Sequence, residues 1–238
     1  MIIRWVRGEC MHAAQLKKRL IAHRGFQSRY PENTLLAIDA ALKMKVDAIE
    51  VDIRLVEDQL IVIHDRWLNK TTNGRGRISD KGLKELRALD AGKGQQIPLL
   101  WEVLERVSGR CDINVELKSE RTAMPVVVML QRAIKTLGFS LQQFLLSSFN
   151  HHLLNEIKQQ DPNWRVGALI ACLPLEYAAF AKKLDAYSVH IDVDFVNKAF
   201  VEDAHSRGLK VFVYTVDEEE DIDLDELEVK PIKHKEIE

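Results

Sequence analysis

The chain has 238 residues, 46% of them hydrophobic and 29% charged, with a formal net charge of −2. That length suits one large domain with a sizeable core, and the near-neutral balance excludes a strong global field drawing the protein to nucleic acid or to an anionic membrane. Three widely spaced cysteines, Cys10, Cys111 and Cys172, form no CxxC pair, which argues against a thiolate zinc site or a disulfide framework and fits a reducing compartment.

Along the first 20 residues Arg4, Arg7, Lys17 and Lys18 interrupt every apolar stretch. No secretory h-region and no run of about 20 apolar residues is found, so a cytoplasmic location without stable membrane insertion is expected. Residues 1–19 read as an N-terminal extension to a domain over 20–228. Arg19–His23 reads as a strand, Thr34–Met44 as a helix, Ala48–Arg54 as a period-two strand, and Gln59–His64 as a further strand. Residues 65–97 break the alternation. They hold the turn formers Asn73, Gly74 and Gly76 and a short helical run, and read as an insertion on the loop face. Leu99–Val107 is helical, Asp112–Leu117 a strand, Pro125–Leu137 a helix, Phe144–Ser147 a strand and His151–Gln160 a helix. Arg165–Ile170 with Leu175–Leu184, and Tyr187–Ile191 with Asn197–Arg207, repeat the unit before the strand Lys210–Val216. Cys111 and Cys172 read as core or near-core residues beside apolar runs.

Strands alternating with helices imply parallel βαβ units. About seven repeats, close to the eight of a closed barrel, favour a TIM (β/α)8 barrel with a small insertion after its second strand. A doubly wound open sheet is the alternative, but the first strand ends in His23-Arg24-Gly25 rather than in a GxGxxG turn.

In a parallel barrel the C-terminal strand ends converge on one face. Here those ends carry His23 and Arg24, then Glu50 and Asp52, His64 and Asp65, and Glu116 and Lys118. Glu50 and Asp52 are two apart on a strand and share a face, while Ile49, Val51 and Ile53 point the other way. Paired carboxylates repel each other unless a cation lies between them. With Glu116, they offer three hard oxygen ligands suited to one divalent metal, Mg²⁺ or Ca²⁺. Lys118, two residues beyond Glu116, shares its face and can meet a phosphate oxygen or the carboxylates. A single acid in a strand is more often salt-bridged than functional; the combination at one barrel face is what points to a site.

His23-Arg24-Gly25 followed by Pro31-Glu32-Asn33-Thr34 resembles the HRG…PENT signature of the glycerophosphodiester phosphodiesterases. The likeness continues through Glu50-Val51-Asp52, His64-Asp65, residues 71–76 (TTNGRG), Val115-Glu116-Leu117-Lys118, Ser147-Ser148-Phe149 and Tyr214-Thr215-Val216, and spans about Leu20 to Asp221. The resemblance implies a metal held by Glu50, Asp52 and Glu116. It makes His23 and His64 the general acid and base and gives Arg24 and Lys118 the phosphoryl oxygens. It places the 71–76 insertion over the glycerol side of the pocket. The implied substrate is a small-molecule glycerophosphodiester, cut to an alcohol and glycerol 3-phosphate; no nucleic acid partner is implied, and nothing marks an oligomer interface. Tyr214 and Phe149 are candidates for the pocket wall, with core packing the competing role. His151, His152, His190 and His205 are expected at surface or loop positions.

The likeness fails after Val216, where the chain runs DEEEDIDLDELEVKPIKHKEIE. Pro231 sits in the stretch where a last strand is expected. The eighth strand is therefore expected to be absent or altered, with 229–238 a divergent tail. Two other readings compete: a lysophospholipase D-type activity, and a binding homologue impaired by its C-terminus. The polar insertion weighs against the first and the His23/His64 pair against the second.

Overall fold

The computed structural model describes residues 21–214. Its strands are β1 (Ile21–Ala22), β2 (Ala48–Val56), β3 (Gln59–Val62), β4 (Asp112–Leu117), β5 (Phe144–Ser148), β6 (Val166–Ile170), β7 (Ser188–Asp192) and β8 (Lys210–Tyr214). Its helices are α1 (Leu35–Lys43), α2 (Leu83–Arg87), α3 (Leu100–Val107), α4 (Ala123–Thr136), α5 (His151–Gln160), α6 (Ala179–Lys183) and α7 (Lys198–Ser206). The main path of the sheet runs β1-β2-β4-β5-β6-β7-β8, all parallel, and β3 folds back antiparallel on β2.

The sheet is curled as a TIM barrel. Ile21 of β1 and Ala48 of β2 share an apolar cluster with Phe212 of β8, so the two ends of the strand order meet across the interior. An open doubly wound sheet is thereby excluded. Among the described residues β1 pairs only with β2 and β8 only with β7. The stretch expected to replace the eighth strand, the tail 229–238 and the extension 1–19 lie outside the described residues.

The alternation read in the sequence separates two environments. Outward-pointing Ile49, Val51, Ile53, Val115, Leu146 and Val189 are buried beneath the helices in the main core. The helices supply the matching stripe, as with Leu100, Val103, Leu104 and Val107 on α3. At about 25 cal/mol per Å² of apolar surface, this sheet–helix layer is the main source of stability. The insertion has its own apolar nucleus of Ile61, Ile63, Leu68, Ile78, Leu86 and Ile97. Its two ends meet, since Val62 N–H donates to Pro98 O at 2.8 Å and Ile61 bridges Leu99. The Arg87 guanidinium clamps Glu102 of α3 at 2.6 and 2.7 Å, fastening the insertion to the barrel.

Most expected elements form within two residues of their expected bounds. The helix expected over Leu175–Leu184 is an exception, being helical only over Ala179–Lys183. Turns through Pro174 and Glu176, with Tyr177 at φ 45°, occupy the preceding residues. Cys172 is exposed rather than near-core, while Cys111 is buried as expected. Among the described residues no helix is long and apolar enough to cross a membrane.

Candidate active site

The turn after β1 is shaped by its sequence. Arg24 and Gly25 have φ 53° and 75°. A Cβ on Gly25 would lie 2.7 Å from the backbone carbon of Ala37, so only glycine lets this turn press against α1. The bend aims the Arg24 N–H at Glu50 Oε2, 3.0 Å away. Asn33, itself at φ 57°, is buried and clasps Asp52 twice: its Nδ2 donates to Oδ2 at 2.9 Å, and its Oδ1 accepts from the Asp52 N–H at 3.2 Å. Thr34 caps α1 by accepting from the Ala37 N–H, and its hydroxyl donates to Pro31 O at 2.6 Å. The PENT stretch thus holds both the first helix and the second strand's carboxylate.

Glu50, Asp52 and Glu116 converge as expected, with one carboxylate oxygen of each within 4.8 Å of the others. All three are buried. Arg24 Nε lies 3.2 Å from Asp52 Oδ2, and Arg24 Nη1 meets Glu32 at 3.1 Å. Lys118 Nζ donates to Glu116 Oε1 at 2.6 Å and sits 3.5 Å from Asp52 Oδ1. His23 Nε2 stands 3.8 Å from Glu50 Oε2, and Gln27 Nε2 lies 2.9 Å from His23 Nδ1. His64 Nδ1 lies 3.5 Å from Asp65. A cavity of about 210 Å³ brings together His23, Arg24, Glu50, His64, Glu116 and Lys118. Phe149 and Tyr214 line its other side, their rings meeting edge to face at 6.0 Å, with Lys118 Nζ 5.7 Å from the Phe149 ring centre.

The electrostatics are those of a crowded, dry site. Burial, then the charge of Asp52 and of Glu116, raises Glu50 well above the usual carboxylate range. Burial and Asp52 push Glu116 up to about 7, against the pull of Lys118. Asp52 is also opposed by burial, yet Lys118, Arg24, His64 and the Asn33 amide together hold it below its ordinary value. Burial, helped by Arg24, lowers His23 to about 3. His64 falls to about 4 by burial, opposed by Asp52 and helped by Lys118. Buried Glu50 Oε1 and Asp52 Oδ1 have no hydrogen-bond partner among the described residues. Buried oxygens left so are costly. Three convergent carboxylates, two of whose oxygens accept no hydrogen bond, fit a hard divalent cation, which would offset the repulsion that raises Glu50 and Glu116.

Sequence reasoning missed three contributors. Arg54 lies two beyond Asp52 on β2. Its guanidinium donates to His64 O at 2.6 and 3.1 Å and to Lys118 O at 3.3 Å, tying two strand ends that carry site residues. Gln27 was unremarked beside the HRG motif. His190 is not at the surface: it is 1% exposed on β7, lines the cavity, and lies 2.9 Å through Nε2 from Ser188 Oγ. The signal for it was the alternation Ser188, His190, Asp192, the same period two that marked Glu50 and Asp52. His151 sits at the start of α5, stacked on Phe180 and bonded to Leu169 O, while His152 and His205 are exposed as expected. Insertion residues 70–73 line an adjoining cleft rather than the 210 Å³ cavity.

With the geometry in place, likenesses to known proteins bear on it. Residues 23–234 match the family model described as the glycerophosphoryl diester phosphodiesterase family. A glycerophosphodiester phosphodiesterase of Caldanaerobacter subterraneus subsp. tengcongensis is 36% identical over 218 residues, covering 87% of this chain and 89% of the relative. One from Bacillus altitudinis is 33% identical, covering 86% and 88%. Among solved structures, a phosphodiesterase of Oleispira antarctica in complex with the product sn-glycerol-3-phosphate superposes with a TM-score of 0.80 at 28% identity, covering 90% of this chain and 91% of the other.

Proposed function

The chain belongs to the glycerophosphoryl diester phosphodiesterase family, and from that premise we propose that it hydrolyses a glycerophosphodiester to an alcohol and glycerol 3-phosphate. The observation that carries the reading is the buried trio Glu50, Asp52 and Glu116, two of whose oxygens accept no hydrogen bond among the described residues, beside two histidines and two cations at the strand ends. These three carboxylates would hold one divalent metal, Mg²⁺ or Ca²⁺. Once bound, the ion supplies Lewis-acid stabilisation of the phosphoryl charge.

The protein's own groups do the rest. Arg24 and Lys118 border the cavity and offset the negative charge of the diester, which otherwise repels a nucleophile. Their pairing with Glu32 and Glu116 fixes where those charges point. In the free site His23 and His64 are both neutral bases, held so by burial. The anionic phosphoryl group raises the imidazole it touches. That histidine then carries a proton to the departing alkoxide as the phosphorus–oxygen bond breaks, while the other takes a proton from the nucleophile. The nucleophile is water, or the neighbouring glycerol hydroxyl by way of a cyclic phosphate that water then opens. Trapping of a cyclic glycerophosphate on the path would rule out water as the sole first nucleophile.

The deciding test is release of glycerol 3-phosphate from glycerophosphocholine and from glycerophosphoglycerol by the purified chain, with Mg²⁺ or Ca²⁺ and with EDTA. Release that needs metal and falls about 10²- to 10⁴-fold in His23→Ala supports the reading. No release from folded protein with either ion sinks it.

A further inference from the structure

The 210 Å³ cavity carries the carboxylate, imidazole and cationic groups that act at phosphorus, and a diester extends from phosphorus to two alcohols. A cleft of about 630 Å³ adjoins it. The dividing wall is two pairs of side chains. Gln27 lines the cleft and reaches His23, and Glu32 lines the cleft and reaches Arg24. The facing wall is the insertion, at residues 70–73 and 90–92.

The charged and aromatic groups of this cleft are already engaged. Both Glu32 oxygens face Arg24 Nη1, at 3.1 and 3.2 Å. Asp90 Oδ1 accepts from the Gly92 and Gly94 N–H groups. The Tyr30 ring carries the Lys93 ammonium 5.1 Å from its centre, and Lys70 at the rim lies 3.8 Å from Asp65 Oδ1. A quaternary ammonium is recognised by a bare aromatic face; here the ring is occupied by Lys93, and the two carboxylates of the lining, Glu32 and Asp90, already accept hydrogen bonds. The Thr72 hydroxyl is committed to Leu68 O and the Gly74 N–H. The hydroxyls of Ser28 and Thr71 and the Asn73 amide nitrogen carry no protein hydrogen bond among the described residues, and all three residues line the cleft.

We propose that this cleft is the subsite for the second alcohol and that it selects a polyol, such as glycerol or a sugar, over choline. The inference rests on the phosphodiesterase reading and assigns the insertion to the departing alcohol rather than to the retained glycerol. Uncommitted hydroxyl and amide groups suit a ligand that both donates and accepts, and the volume admits more than a three-carbon polyol.

The test is kcat/KM for glycerophosphoglycerol and for glycerophosphocholine, measured with Mg²⁺ on the parent, on Thr71→Val and on Ser28→Ala. The parent is expected to favour the polyol diester about tenfold or more, and each variant to lower that ratio about fivefold, the worth of one hydrogen bond. Equal efficiencies, a preference for the choline diester, or a ratio unchanged in both variants would overturn the proposal while leaving the phosphodiesterase reading intact. Turnover of neither diester by the parent would overturn that reading, and this inference with it.

Discussion

β1 with its turn, β2 and β4 present His23, Arg24, Glu50, Glu116 and Lys118 to one cavity, with buried Asp52 beside Glu50 and Glu116, whereas β5 to β8 fill the same rows with Ser147, Gly167, Ser188, His190 and Phe212. One half of the barrel concentrates charge; the other is neutral apart from Asp192 at the end of β7 and, at Gly167, has no side chain at all. The row Glu116, Ser147, Gly167, Ser188 runs from the charged half into the neutral one at a single level of the sheet. Charges in a dry site must find partners within a few ångströms, and adjacent strands provide that proximity. The opposite wall needs only to leave room and exclude water.

Neutralising the charged half tests that division most severely. Asp52→Asn removes the carboxylate that Arg24, Lys118 and Asn33 all address. Its kcat is expected to fall about 10²- to 10³-fold, the loss seen when one electrostatic group is deleted from a preorganised site. Steady-state assays of the folded variant check this, and a drop under tenfold would move the reacting centre away from β2.

The neutral half carries its own titration. Burial lowers His190 to about 3, so from pH 6.5 down to that value an unfolded chain binds a proton there that the folded chain does not. A group with a depressed folded value contributes stability above its unfolded pKa and loses it on acidification. The expected loss is about 1.4 kcal/mol per pH unit below pH 6.5. Denaturant melts of the parent and of His190→Gln at pH 7 and pH 5 isolate this contribution. Equal acid sensitivity of the two would show that His190 is protonated in the fold.

The smallest change sharpens the picture of the far wall. A Cβ at Gly167 would fall 2.3 Å from His190 Nε2, and that ring is fully buried. Gly167→Ala is expected to cost about 1–3 kcal/mol by overpacking, read as a lower urea midpoint. An unchanged midpoint would mean that the His190 ring has space to swing aside.

The charged half was the more legible in the sequence because its motifs are contiguous. HRG and PENT each fold into one turn with residues at positive φ, and Glu50 and Asp52 declare their common face by alternation. The neutral half gives weaker signals. His190 lies among apolar residues that fit a core strand equally well, and its alternation with Ser188 and Asp192 offers one carboxylate rather than a pair, so the pattern points no further than a surface or loop position. Arg54 was invisible for a different reason: its partners are the carbonyls of His64 and Lys118, and backbone acceptors leave no mark in a residue pattern. The stunted α6 follows the same logic, since its apolar spacing was helical but the turns through Pro174 and Tyr177 override it.

The insertion leaves the barrel at Val62 and returns beside it at Pro98 and Leu99, with a nucleus of its own in between. A segment whose ends already touch can change length at little entropic cost to the scaffold, because closing a longer loop adds only about 0.6 kcal/mol per doubling. The outer wall of the adjoining cleft is therefore an interchangeable cassette. Divergence can rewrite it, residue by residue or whole, while the side chains that share the inner cavity stay in register.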